Sequence, residues 1–222
     1  MENEKKPEKD LQTISMTELY DTVYPSKIPV VDGLLYAGTH LFAGAPKVGK
    51  SFFMAQLGYH VSKGISLWGY PVEKSTVLYL ALEDDYGRLQ KRLSRMFGME
   101  GSENFHFATR SKSLNEGLEE QLNQFVKKHR DTRLIIIDTL QKVREVGGDK
   151  FNYASDYDSV TKLKHFSDIN GICLLIVHHT RKMESSDSFD MISGTNGLLG
   201  AADYKCILKK GQKGSYKKVV VS

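Results

Sequence analysis

The chain has 222 residues, 40% of them hydrophobic and 26% charged, which is about one soluble globular domain with enough length to bury a core. Its formal net charge of +4, from 31 Lys+Arg against 27 Asp+Glu, is compatible with nucleic acid without requiring it. Cys173 and Cys206 sit in apolar runs with no metal-ligand spacing, no run reaches the length of a membrane span, and the first six residues lack a signal peptide's apolar region, so a cytoplasmic protein is expected.

Residues 1–13 are polar and rich in Lys and Glu, which predicts a disordered tail ahead of a single domain over 14–222. A short helix is predicted over 17–23, stopped near Pro25, and residues 29–35 lead into a buried strand over 39–43. The next stretch is Gly44-Ala45-Pro46-Lys47-Val48-Gly49-Lys50-Ser51, which meets the pattern G-x-x-x-x-G-K-[ST] at every specified position. A helix follows over 52–62, with Gly64 past its end. Strand, glycine-rich turn and helix N-terminus together form an anion cradle. Backbone N–H groups and the positive end of the helix dipole face the phosphates of a nucleoside triphosphate. Gly44 to Ser51, with Phe52 after them, are therefore the nucleotide-binding set. Lys50 is expected to reach the β- and γ-phosphates, and Ser51 to ligate Mg²⁺. A bare glycine turn with a stray Lys-Ser is the plainer reading, and the flanking strand and helix weigh against it.

Further on, residues 76–82 read as a strand covered on both faces, ending in Glu83-Asp84-Asp85. The following helix carries Leu89, Leu93, Met96 and Phe97 on one face and stops at Gly98. Residues 105–108 form a short strand, and Leu114, Leu118, Leu122, Phe125 and Val126 recur at helical spacing as core positions. Residues 134–138 are the next buried strand, 141–152 a loop, and 155–169 a helix. Residues 172–177 form a covered strand running into His178-His179. After a polar loop over 180–196, residues 204–209 and 216–221 are predicted to pair as a hairpin. The last run stops at Ser222 with no polar tail, so truncation there is an expectation. Alternating β and α with unbroken apolar strands gives an α/β fold, a mainly parallel central sheet flanked by helices.

Ligands of such sheets lie beyond the carboxyl ends of the strands. Four of those ends are polar here. Asp138, after four aliphatic residues, is the expected Mg²⁺ holder; alone it would read as a turn cap, and beside the phosphate loop the balance reverses. Its successor is Thr139, so no adjacent acid polarises the attacking water, and Glu83 is the expected base. Asp84 and Asp85 suit the start of a helix in any case. His178 or His179 is placed to hydrogen-bond the γ-phosphate, although a strand-end histidine is more often structural.

Together these residues resemble the RecA-like P-loop ATPases, specifically the RepA-like group of hexameric replicative helicases. The resemblance rests on residues 44–51, 80–85, 135–140, 177–182 and 192–203, five motifs in order across residues 28–210. It implies ATP and Mg²⁺ as ligands, Glu83 as catalytic glutamate, and the strand ending at His178 lying between the phosphate-loop and Asp138 strands. It further implies a homo-oligomeric ring, hexameric in the helicase group's manner, with a basic finger supplied by the neighbouring subunit. Arg181, Lys209 and Lys210 are the candidates for that finger, with Arg88 and Arg92 behind them. A Lys there would lose the bidentate phosphate contact of an Arg. The loops over 142–153 and 183–196 correspond to the segments that face single-stranded DNA. The first offers Lys142, Arg144 and Lys150, the second little positive charge. The basic cluster Lys209, Lys210, Lys213, Lys217 and Lys218 reads equally well as a solvated hairpin. A nucleotide-gated regulatory or loader module with a protein partner is the alternative from another class, and a small-molecule phosphotransferase is a weaker third.

Overall fold

A computed structural model of the chain describes residues 11, 13–24, 27–144, 153–180, 200–209 and 218–221. Its frame is a sheet of order β5-β4-β6-β7-β3-β8-β9. In chain order these are β3 (Gly38–Gly44), β4 (Thr76–Ala81), β5 (Phe105–Ala108), β6 (Thr132–Asp138), β7 (Cys173–His179), β8 (Tyr204–Lys209) and β9 (Lys218–Val221). All pairings are parallel except β8 with β9, which is the C-terminal antiparallel pair. Every residue of β3 and β4 is buried, as are all but one of β6 and of β7, which is why these runs read as continuously apolar.

The helices cover both faces. One face packs under α2 (Lys50–Lys63), α3 (Tyr86–Phe97) and a small antiparallel pair, β1 (Pro29–Val31) with β2 (Leu35–Tyr36). The other packs under α4 (Leu118–Lys128), α5 (Leu140–Val143) and α6 (Tyr153–Asn170). Strand alternation assigns each side chain to a face. Val77, Tyr79 and Ala81 lie on the α2 side, Leu78 and Leu80 on the α6 side. Among the described residues no helix is long and apolar enough to cross a membrane.

Several boundaries differ from the sequence reading. The helix expected from Leu114 begins at Leu118, because Gly117 adopts φ 112° and the Ser113 hydroxyl donates to Glu116, closing a turn ahead of it. Leu114 still packs against the α4–α6 core from that turn. The expected loop over 141–152 opens with the single-turn α5, anchored by fully buried Leu140 and Val143. Residues 29–35, read only as a lead-in, form the β1–β2 pair with Tyr36. The N-terminal helix α1 (Met16–Asp21) starts one residue early on a capping box in which Ser15 and Glu18 satisfy each other's backbone N–H groups. The second hairpin strand is described as β9 over Lys218–Val221, and residues 216 and 217 of the expected run lie outside the described residues. Residues 1–10 and 12 of the expected tail, and the expected hairpin turn at 211–215, lie outside the described residues.

Candidate functional site

Parallel register aligns the carboxyl ends of four adjacent strands. Ala81 is level with Asp138, Asp138 with Val177, and His179 with Gly44. The strand carrying the histidines therefore lies between the phosphate-loop strand β3 and the Asp138 strand β6. Beyond these ends opens a cleft of about 340 Å³, lined by Lys47, Gly49, Lys50, Ser51, Phe52, Glu83, Arg92, Asp138 and His179. A larger apolar groove of about 900 Å³ runs between α3 and β5, but it holds none of the motif residues. The chemistry points to the smaller cleft.

The phosphate loop leaves β3 at Gly44, where a side chain is sterically excluded. A Cβ there would come within 2.9 Å of the Leu208 carbonyl oxygen and 3.2 Å of a Val48 methyl. The loop reverses with Lys47 at φ 60° and Gly49 at φ 103°. Gly49 then opens α2 with no side-chain cap. Helix geometry leaves the first N–H groups of α2 without intrahelical acceptors, so they face the mouth of the loop as anion donors.

Lys50 is 6% exposed. Its ammonium donates to the Gly44 carbonyl at 2.8 Å, to the Ala45 carbonyl at 3.0 Å and to His179 Nδ1 at 3.2 Å. Burial pushes its pKa below the ordinary lysine value, and the Asp138 and Glu83 carboxylates pull the other way. An ammonium can only donate, so His179 Nδ1 accepts and the ring proton of neutral His179 sits on Nε2. That nitrogen is 3.5 Å from Glu83 Oε1. Thr139 donates its hydroxyl to the same Glu83 oxygen at 3.1 Å. Glu83 lies two residues past the end of β4, in a turn closed by the Leu82 N–H on the Asp138 carbonyl and the Asp84 N–H on the Ala81 carbonyl. One polar path thus joins phosphate-loop lysine, histidine and glutamate.

Asp138 anchors the second group. Its Oδ2 accepts from Ser51 Oγ at 2.7 Å and from the Tyr79 hydroxyl at 2.8 Å. Burial raises its carboxyl above the ordinary range, and the two hydroxyl donors offset part of that shift. Hydroxyl and carboxylate oxygens side by side suit a hard divalent cation. Among the described residues no cluster of three His, Cys, Asp or Glu side chains could hold one, so the remaining ligands would be water and substrate phosphate, as Mg²⁺ favours.

The outer wall comes from α3. Asp85 caps its N-terminus by accepting the Arg88 N–H at 2.8 Å, and Asp84 holds Arg92 at 2.7 Å. The Arg92 guanidinium lies 5.4 Å from the centre of the Phe52 ring. Both acids thus serve the wall, and Arg92 faces the cleft of its own chain. Arg88 is tied to Asp85 on the exposed side of the helix.

Two groupings expected from the motifs need correction. The pleat separates the histidine pair: His179 enters the cleft, while His178 is 5% exposed and falls on the opposite face of the sheet with Ile176. Arg144, expected on a DNA-facing loop, is 9% exposed, so its guanidinium is not offered at the surface. Lys142 is exposed. Lys209 closes β8 and is level with Lys218. Arg181 and Lys210, Lys150, Lys213 and Lys217, and the loop over 183–196 lie outside the described residues. Tyr79, Thr139 and Arg92 carry contacts the motifs did not reveal. Tyr79 is hidden in an apolar run, and Thr139 registers in the sequence only as a missing acid.

Comparison with known proteins agrees with this fold. The model of the AAA domain family matches residues 5–185. No curated protein matches the chain. Among solved structures, an ATPase domain of another protein aligns with a TM-score of 0.61 at 14% identity, over 83% of this chain and 76% of that one, a likeness of fold. The RecA-like P-loop ATPase fold expected from the motifs is therefore borne out. With most of its length matched and its phosphate loop, Asp138 and Glu83 on one cleft, the chain belongs to the AAA domain family.

Proposed function

We propose that the chain is a Mg²⁺-dependent ATP hydrolase that works as one subunit of a cytoplasmic hexameric ring, acting on single-stranded DNA as a replicative helicase motor. The observation that carries the hydrolase reading is the convergence of Lys50, Ser51, Asp138, Glu83 and His179 on one cleft. The triphosphate seats on the α2 N-terminus, and Lys50 turns from the Gly44 and Ala45 carbonyls to the β- and γ-phosphates. Ser51, with Asp138 behind it, would hold Mg²⁺, which when bound neutralises charge on the β- and γ-phosphate oxygens.

Glu83 orients a water and takes its proton as the oxygen attacks the γ-phosphorus. The bond to the β–γ bridging oxygen breaks, and ADP leaves with that electron pair. Thr139 keeps the Glu83 carboxylate in place, and the His179 ring lies between that carboxylate and the Lys50 ammonium. Arg181, Lys209 or Lys210 of an adjacent copy supplies the finger that completes the site. Lys142 and Lys150 contribute phosphate contacts to the strand.

Steady-state ATP hydrolysis against protein concentration, with and without single-stranded DNA, tests the whole reading. Turnover per subunit is expected to rise with concentration and again with DNA. ATP binding with flat, negligible turnover under both conditions would contradict it and favour a nucleotide-gated module.

A further inference from the structure

Tyr79 is a buried polar side chain at the site that the chemistry above does not use. It lies in the middle of β4 at 0% exposure, on the face covered by α2. In the parallel register Ala81 is level with Asp138, so Tyr79 stands one strand over and two residues back on the same face. An aromatic side chain spans that diagonal, and its hydroxyl reaches Asp138 Oδ2 at 2.8 Å. The ring is wedged against Phe105 and Phe107, with centroids at 6.5 Å and 6.0 Å. The phenol oxygen is therefore placed by packing and has little freedom to look elsewhere.

Ser51 differs. Its hydroxyl rotates, and from the first turn of α2 it donates to the same Asp138 oxygen at 2.7 Å. Of the two donors on Oδ2 the phenol is rigid and the serine adjustable. A carboxylate pinned by a rigid donor presents a fixed acceptor to the adjustable one. The serine proton then points inward, and its lone pairs point to the phosphate side, where a cation ligand is needed. Without the pin the carboxylate can turn about its own torsion, and the serine turns with it.

We propose that Tyr79 is a positioning residue for the metal of the nucleotide site, its hydroxyl fixing the Asp138 carboxylate so that Asp138 in turn aims the Ser51 hydroxyl. The inference rests on the nucleotide-site reading above and extends it to a residue that touches neither nucleotide nor metal. Outer-shell hydrogen bonds of this kind typically set metal affinity over about 10–100-fold.

The test uses the full chain with Mn²⁺ as probe and ADP present, free Mn²⁺ being read by electron paramagnetic resonance. Tyr79→Phe keeps the ring in its packing and removes one oxygen. It is expected to weaken Mn²⁺ binding by about 10-fold or more. Affinity for ADP in EDTA, which does not depend on the metal ligands, should stay within about twofold of the wild type. Phe105→Leu is the companion variant: it loosens the ring's surroundings but keeps the hydroxyl, and is expected to weaken Mn²⁺ binding clearly less than Tyr79→Phe does. If Tyr79→Phe binds Mn²⁺ like the wild type while Ser51→Ala loses it, the nucleotide-site reading stands and the role of Tyr79 falls. Equal weakening by Phe105→Leu and Tyr79→Phe would assign the effect to packing and also overturn it. A wild type that takes up no Mn²⁺ with ADP would overturn the functional reading, and this inference with it.

Discussion

The two ends of the parallel strands bury carboxylates in opposite ways. At the start of β3, Asp203 accepts the Thr39 N–H at 2.8 Å and pairs with the Lys164 ammonium from α6. Burial alone would raise the Asp203 carboxyl, but Lys164 and the Thr39 N–H outweigh it and hold the pKa below the ordinary value. Lys164 shows the complement: burial works against its charge, Asp203 outweighs that, and the pKa is raised. At the other end, Asp138 has two hydroxyl donors and a net upward shift. A buried carboxylate neutralised within its own chain is a clamp, tying α6 and the segment before β8 to the sheet. One held by hydroxyls at a strand end keeps its charge for something else. The comparison separates structure from function more sharply than burial does, since both acids are largely hidden.

Substitutions at the two ends should therefore fail differently. Lys50→Ala is expected to reduce ATP turnover by more than about 100-fold, because it removes a donor aimed at the phosphates. Its thermal melting without nucleotide should stay near the wild type, since a desolvated ammonium is lost along with its contacts. Large loss of stability with turnover retained would place Lys50 among the structural cations instead.

Gly44→Ala comes next. The added methyl meets the Leu208 carbonyl oxygen at 2.9 Å, so β3 and β8 must separate locally. A cost of about 1–3 kcal/mol in denaturant unfolding is expected, with weaker nucleotide binding because the same shift moves the loop. Unchanged stability would mean that β8 yields freely there.

The effects most diagnostic for the comparison concern pH. Asp203→Asn should lose about 1–3 kcal/mol at neutral pH, as expected when a hydrogen bond to a charged group is removed. The folded pKa of Asp203 lies below its unfolded value, so its contribution is complete above the unfolded value. It disappears as pH falls through the depressed folded one. The gap between wild type and variant should accordingly close on acidification. Asp138 carries the opposite sign. Its folded pKa is raised, so its ionisation costs stability above the raised value, and Asp138→Asn without metal should be no less stable than the wild type at neutral pH. Chemical denaturation across pH measures both, and parallel behaviour of the two variants would erase the distinction.

Much of this is readable in the sequence, for identifiable reasons. The phosphate loop is a contiguous pattern whose residue types each answer a backbone or charge requirement, so Lys50 and Ser51 can be assigned by position. Unbroken apolar runs mark the central strands because both faces are covered. What is not readable depends on register and pleat. His178 and His179 are equivalent as letters, and only alternation about β7 sends one into the cleft. Tyr79 looks like core because its hydroxyl's partner lies 59 positions away on a neighbouring strand. Thr139 stands out for the acid it lacks, whereas its hydroxyl holds Glu83 across the β4–β6 boundary. The β1–β2 pair escapes notice because its strands are three and two residues long, too short for periodicity to register.

Glu83, held by Thr139 beside His179, is the proposed proton acceptor of a site assembled around Lys50 and Asp138. Glu83→Gln tests it most directly, with ATP binding and single-turnover hydrolysis measured on the same preparation. The expected result is ATP affinity within about threefold of the wild type, with the hydrolytic step slowed by about 100-fold or more, since geometry is kept and only the base is lost. Hydrolysis at the wild-type rate would contradict the assignment and move the base to another residue of the cleft.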